Sequence, residues 1–205
     1  MTASAEPAVF IVDDDDAVRD SIRELVGSVG LRAVAFASAQ QFLDAFDPQQ
    51  AGCLVLDVRM ANMSGPALQE KLNALGASIP IVFISGHGDI TVAVKTIKAG
   101  AVDFVQKPYR EQQLLDSINE ALQRDAAARR AAGVRTGFAE RQATLTDRER
   151  EVTALVVKGL SSKVIAQTLG ISYRTVELHR SHILEKLGVR SVAELIRLAL
   201  EQPNT

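Results

Sequence analysis

Five short apolar runs, at 9–12, 31–36, 53–56, 81–84 and 102–105, alternate with longer stretches of helical period as far as residue 123, and there the alternation stops. Runs without polar alternation belong to strands covered on both faces, and strand alternating with helix makes a parallel sheet flanked by helices. The expected helices lie at 17–27, 39–46, 65–75, 90–99 and 111–130, so five βα units predict an α/β fold, a five-stranded doubly wound parallel sheet. Local signals agree. Asp15 or Asp16 can cap the first helix, Pro66 stands in a first turn, and Gly76 and Gly100 can end helices.

Residues 144–205 carry no strand pattern. Thr146-Asp147-Arg148-Glu149 is a capping box that opens a helix ending near Gly159. A short helix follows at 163–169 behind Ser161 and Ser162, then a long one at 173–187 behind Ser172, stopped by Gly188, and a fourth from Ser191 to about Glu201. The tight turn 169–172 between the second and third makes a helix-turn-helix candidate in a small all-α domain of four helices. Between the two patterns, 124–143 reads as a helical extension that meets Gly133 and Gly137 and becomes a flexible linker. The expected organisation is therefore 1–123, a linker at 124–143, and 144–205.

The 205 residues suffice for a real core, and a single cysteine, Cys53, excludes an intramolecular disulfide and a four-thiolate zinc site; it is expected to be a buried strand residue. No apolar run approaches the roughly 20 residues that span a bilayer, and Met1 to Pro7 do not read as a secretory signal, so the expected setting is the cytoplasm, away from membranes. The net charge of −2 hides an asymmetry: 16 acids against 9 bases in 1–123, 2 against 5 in 124–143, and 7 against 9 in 144–205. An acidic front suits a divalent cation and a basic rear can meet phosphates.

In an open parallel sheet ligands gather beyond the carboxyl ends of the strands. There the runs end in Asp13-Asp14-Asp15-Asp16, in Asp57, in Ser85-Gly86 and in Gln106-Lys107-Pro108. Clustered carboxylates repel unless a cation joins them, and hard oxygen ligands suit Mg²⁺, which takes phosphate oxygens in its remaining positions. Such a set supports attack by a carboxylate on phosphorus, with Asp57 the expected nucleophile because it stands alone at the end of the central run.

These residues resemble the receiver domain of bacterial two-component response regulators: an acidic pair after the first strand, a lone Asp after the third, a hydroxyl after the fourth and Lys-Pro after the fifth. The resemblance, which covers 8 to about 123, implies a flavodoxin-like fold in which Asp57 accepts phosphate from a sensor histidine kinase. It implies that Asp13, Asp14, Asp57 and the Arg59 backbone carbonyl hold Mg²⁺. It further implies that Ser85 and Lys107 contact the phosphoryl group, that Phe104 takes the aromatic switch position, and that Lys107-Pro108 is a cis bond. Gly86 leaves the phosphate room. One departure is Met60-Ala61, where the family usually has Met-Pro; alanine frees the loop backbone by about 0.4–1 kcal/mol of unfolded-state entropy and removes no proposed ligand. His87, in the loop beside Ser85, has no evident partner.

Residues 145–200 are similar to the FixJ/NarL, LuxR-type DNA-binding domain, through Leu145-Thr146-Asp147-Arg148-Glu149-Arg150-Glu151-Val152, 159–166, 172–180 and Ser191 after 187–190. On helix 173–187, Val176, Ile183 and Leu187 face inward and leave Arg174, Glu177, Leu178, Arg180, Ser181 and Glu185 nearer solvent. By family position Glu177, Leu178 and Ser181 read bases, with Thr175 at phosphate, while Lys163, Arg174, Arg180 and Arg190 are expected on phosphates. His179 and His182, three apart, are read as phosphate or packing residues in preference to metal ligands.

The resemblance implies a transcription factor that dimerises on phosphorylation, with promoter DNA as its target and room for RNA polymerase as a further partner. The expected receiver contact is helix 90–99, the fifth strand and the helix from Glu111; Val192, Leu195, Ile196 and Leu198 are candidates for joining two DNA-binding domains, with some of them needed to fill the core. Two rivals stand. An aspartyl-phosphate phosphohydrolase needs a second acid two residues after the nucleophile, where this chain has Arg59. A receiver that dimerises without phosphate would not need the full set Asp13, Asp14, Asp57, Ser85 and Lys107.

Overall fold

The structure, a computed structural model, describes residues 6–86 and 90–201; His87 lies outside them. Five parallel strands, β1 (Ala8–Val12), β2 (Arg32–Phe36), β3 (Gly52–Asp57), β4 (Ile81–Ser85) and β5 (Asp103–Gln106), form one sheet in the order β2-β1-β3-β4-β5. Every residue of β1, β3 and β4 is buried, whereas the edge strand β2 is only half-buried, which explains why the central runs show no polar alternation. Successive side chains feed two cores. Phe10, Leu54, Leu56 and Phe83 pack with Phe42, Leu68 and Leu72 on one face; Ile11, Cys53, Val55 and Ile84 pack with Ile22, Val26, Leu114 and Ile118 on the other. Cys53 is buried as expected. Winding reverses at β1, which pairs with β2 and β3, so the crevice beyond the carboxyl ends of β1 and β3 is the switch point where such sheets bind ligands.

The flanking helices are α1 (Asp16–Ser28), α2 (Ala39–Ala45), α3 (Gly65–Ala74), α4 (Ile90–Lys98) and α5 (Glu111–Ala143). The cap of α1 is Asp15, whose carboxylate accepts from the Ala17 and Val18 amides. Pro66 lies in the first turn of α3 behind the Ser64 cap. No helix among the described residues is long and apolar enough to cross a membrane.

The chain divides into two compact units between Ala128 and Arg129, inside α5. The second unit contains the last turns of α5 with α6 (Asp147–Val157), α7 (Ser162–Leu169), α8 (Tyr173–Leu187) and α9 (Val192–Leu200). Thr146 and Glu149 form the expected capping box, and Ser161, Ser172 and Ser191 cap the next three helices.

Residues 124–143, where a helical extension running into a flexible linker is expected, are helical throughout. Gly133 and Gly137 each cost a helix about 1 kcal/mol relative to Ala, but tertiary contacts outweigh that. Phe138 is fully buried in the core of α6–α9. Arg141 donates from Nε to the Leu187 carbonyl at 2.8 Å, filling one of the acceptor positions that the end of α8 leaves open. A cation at a helix C-terminus also suits the dipole. The Arg141 side chain lies against Gly137 and Gly188, where no side chain intervenes. On α9 the residues that fill the core are Leu195 and Leu198, 2% and 3% exposed, so these two do not offer a joining surface, while Val192 and Ile196 are half-buried.

Glu149 is the polar centre of this unit. Its Oε2 accepts from Lys186 Nζ at 2.7 Å and from the Thr146 amide and hydroxyl at 2.8 and 3.0 Å. The Lys186 ammonium, then the Thr146 amide, pull its carboxyl down to about 2 against the opposing effect of burial. A carboxylate lowered on folding stabilises the fold above its ordinary value of 4.5, and that contribution is lost as pH falls through about 2. Glu149→Gln should therefore weaken hydrogen-exchange protection of α6–α9 at neutral pH, and the gap from the parent protein should close as pH drops across that window. Phe138→Ala should cost the same helices about 3–5 kcal/mol and leave protection of the sheet unchanged.

Candidate functional site

Strand register brings the expected residues together. Val12 pairs with Leu56, Asp57 with Ile84, and Ser85 with Gln106, so Asp13, Asp57, Ser85 and Lys107 leave the sheet on one edge. Lys107 reaches back across it: Nζ donates to Asp13 Oδ2 and to Asp57 Oδ1, both at 2.8 Å. The Asp13 side chain is 2% exposed, Asp57 9% and Lys107 22%, so the crevice is narrow but open to solvent. Lys107-Pro108 is cis, as the resemblance implies.

Backbone amides fix the carboxylates further. Asp57 Oδ2 accepts from the Arg59 amide at 2.7 Å and Asp13 Oδ1 from the Asp15 amide at 2.9 Å. Asp14 is exposed, and its Oδ2 accepts from the Ala61 amide at 2.9 Å. That bond gives the Met60-Ala61 departure a meaning the sequence did not show: a proline at 61 has no N–H to donate. Gly65, first residue of α3, packs directly under the site; a Cβ there would lie 2.3 Å from the Asp57 carbonyl oxygen and 2.9 Å from the Phe83 ring. Ser85 is buried at the end of β4 and its carbonyl accepts from the Lys107 amide at 2.7 Å. Phe104 is half-buried and stacked on Phe83 with centroids 6.5 Å apart.

Burial pushes the Asp57 carboxyl above its ordinary range, assisted by Asp13 and opposed by Lys107 and the Arg59 amide. Burial weighs against the Lys107 charge, but the hydrogen bonds it donates to Asp13 and Asp57 outweigh it and hold the proton above the usual lysine range. Two residues absent from the sequence reading belong here. Arg19, 12% exposed, donates to the Asp13 carbonyl at 2.6 Å and pairs with Asp16. Tyr109 is half-buried beside the site, its hydroxyl pushed up by burial. Tyr109 directly follows Lys107-Pro108, a signal that was available; Arg19 had none beyond its place on the first helix.

Among the described residues no three His, Cys, Asp or Glu side chains form a metal-ligating group. Asp13 and Asp57 converge, while Asp14 is tied to the adjacent loop. Mg²⁺ needs no such cage, since one or two carboxylates with waters and phosphate oxygens satisfy it. One ammonium between two carboxylates leaves a net negative charge at the site, and this donor set fits a hard divalent cation. His179 is half-buried and His182 exposed on α8, with no third ligand among the described residues.

On α8 the Ser172 hydroxyl accepts from the Thr175 amide at 3.0 Å and meets the Thr175 hydroxyl at 2.8 Å. Val176, Ile183 and Leu187 are buried, and Arg174, Glu177, Leu178, Ser181 and Glu185 are exposed, as the helical spacing predicts. Leu178 is 55% exposed and Tyr173, missed in the sequence, 58%. Lys163 and Arg190 are exposed; Arg180 is half-buried and donates to the Ser162 hydroxyl at 2.6 Å.

Comparison with known proteins agrees with both halves. Residues 9–119 match the response regulator receiver domain and residues 143–199 the bacterial regulatory proteins of the luxR family. Nodulation protein W of Bradyrhizobium diazoefficiens is 44% identical over 197 residues, covering 96% of this chain and 87% of that protein. The transcriptional regulatory protein FixJ of Azorhizobium caulinodans is 43% identical over 192 residues, 94% of this chain and 91% of that one. Among solved structures, the response regulator StyR superposes with a TM-score of 0.82 at 46% identity, covering 97% of this chain and all of the other. Full-length FixJ from B. japonicum gives 0.59 at 39% identity, with 95% and 96% covered. The parallel sheet with its acidic crevice, the helix-turn-helix unit and these likenesses place the chain in the family of DNA-binding two-component response regulators of the LuxR/FixJ type.

Proposed function

We propose that Asp57 accepts a phosphoryl group from the phosphohistidine of a sensor histidine kinase, and that the phosphorylated chain pairs with a second copy and binds promoter DNA in the cytoplasm to regulate transcription. The observation that carries this reading is the Lys107 ammonium shared at 2.8 Å between Asp13 and Asp57. An Asp57 oxygen attacks phosphorus in line; the new P–O bond forms as the P–N bond breaks, and the departing imidazole keeps the electron pair and takes a proton from solvent. Lys107, already at the Asp57 oxygen, neutralises charge on the transferring group, and the Ser85 hydroxyl bonds a second phosphoryl oxygen. Mg²⁺ held by Asp13, Asp57 and the Arg59 carbonyl, with Asp14 joining them once its carboxylate leaves the Ala61 amide, would supply further positive charge for those oxygens.

Phosphate on Asp57 takes one of the two partners of Lys107, and rearrangement at Ser85 and Phe104 carries the change to α4 and β5. Ile90, Val94 and Ile97 on α4 are 78%, 47% and 43% exposed, an apolar stripe at helical spacing that supports α4, β5 and the start of α5 as the receiver contact between copies. In this reading 1–123 is the receiver, 124–143 the connecting segment and 144–205 the DNA-binding domain. Glu177, Leu178 and Ser181 of α8 read base edges, Lys163, Arg174, Thr175 and Arg190 hold phosphates, and RNA polymerase is a further partner.

Asp57→Ala should abolish phosphate incorporation from acetyl phosphate with Mg²⁺ and remove the phosphate-dependent gain in DNA binding. Equal DNA binding by parent and variant, with and without the phosphoryl donor, would instead support a receiver that needs no phosphate. Lys107→Ala should slow phosphorylation by about 10²–10³-fold, the usual effect of losing one preorganised charge-stabilising donor. Because burial raises the Asp57 carboxyl, in the metal-free protein it should lose its proton at a higher pH than an ordinary carboxylate does, as followed by NMR titration of its carboxyl carbon.

A further inference from the structure

The packing of α7 against α8 is apolar, through Ile165 and Ala166 on one and Val176 and Ile183 on the other. Apolar contact is non-directional and tolerates sliding, whereas a hydrogen bond fixes distance and direction. Among the described residues one side-chain hydrogen bond joins these two helices: Arg180 Nη1 to Ser162 Oγ, 2.6 Å long and 18 residues apart in sequence. Ser162 is 6% exposed and opens α7 one position after its cap, Ser161. Arg180 is half-buried and lies on the turn of α8 that carries the exposed Glu177, Leu178 and Ser181. The bond therefore ties the start of α7 to the turn proposed to read bases.

We propose that Arg180 is a positioning residue for base recognition, a strut that sets the register of the reading turn of α8 through Ser162, and that its contribution to DNA binding comes from that bond and not from a phosphate contact. The inference rests on the reading of α8 as the DNA-contacting helix. In a helix-turn-helix one helix meets the backbone while the next enters the groove, so a slip between them carries Glu177, Leu178 and Ser181 away from the base edges, where geometry is exacting, while charged contacts to phosphate, made by the long flexible side chains of Lys163, Arg174 and Arg190, tolerate it. Arg180 thus affects specificity through geometry.

The test uses the full-length phosphorylated protein and two duplexes: one recovered by the parent protein from a random-sequence pool, and a random-sequence control. Ser162→Ala and Arg180→Ala should each lower the preference for the recovered duplex by about tenfold, the equivalent of one charge-assisted hydrogen bond. The double variant should lose no more than either alone. Arg180→Gln, a neutral side chain that can still donate to Ser162, should restore most of the preference. All four should keep the parent's salt dependence on the control duplex. The strut is overturned if Ser162→Ala binds like the parent protein, or if Arg180→Ala and Arg180→Gln both flatten the salt dependence by about 0.9 in log–log slope, the signature of one lost phosphate contact. Glu177→Ala checks the underlying reading separately: unless it changes the sequence recovered from the pool, α8 is not the base reader. Retained hydrogen-exchange protection of α7 and α8 in Ser162→Ala and Arg180→Gln separates a shift of register from unfolding.

Discussion

One ammonium shared by two nearly buried carboxylates organises the first unit. Asp13 and Asp57 leave neighbouring parallel strands on the same edge of the sheet, and without Lys107 their charges would repel across a crevice with little water to screen them. Lys107 comes from beyond β5, on the far side of β4, so the sheet must be complete through β5 before the contact can form. The site therefore depends on four of the five strands, β1, β3, β4 and β5. Its remaining constraints act on backbone: the Arg59 amide on Asp57, the Asp15 amide and Arg19 about Asp13, and Gly65 allowing α3 to approach beneath the nucleophile.

The sheet and the centre of the site were legible in the sequence for the same reason. Strands buried on both faces must be continuously apolar, so their ends are marked by the first polar residue, and in a doubly wound sheet those ends are where chemistry collects. Asp13, Asp57, Ser85 and Lys107 could be found without knowing which helix lies on which face. Helix caps were legible too, because Thr-x-x-Glu, Ser and Gly signals act within four residues.

What escaped are contacts whose partners are far apart in sequence and whose chemistry is backbone or generic. Ala61 reads as a loosened loop, yet its amide holds Asp14 from 47 residues away. Gly133 and Gly137 read as a linker because local propensity disfavours helix there; the burial of Phe138 and the bond from Arg141 to Leu187 override that propensity, and neither can be inferred from residues 124–143 alone. That part of the α9 stripe must fill the core was legible, but that Leu195 and Leu198 are that part was not, because the inward face is defined only once α6 and α8 are in place.

Each unit has a lysine on a buried carboxylate, and the two pairs behave in opposite ways. Glu149 collects the Lys186 ammonium with the Thr146 amide and hydroxyl on a single oxygen, and its carboxyl falls to about 2. Its charge is fully answered, which makes it a structural post with no reason to react. Asp57 has a lysine too, but shares it with Asp13, and burial raises its carboxyl in spite of the ammonium. A group that the fold leaves under-compensated is one that gains by acquiring a new partner, whether a cation or a phosphorus. Asp13 is thus as much a part of the reactivity as Lys107: by claiming half of the ammonium it keeps Asp57 from settling into the inert state that Glu149 occupies.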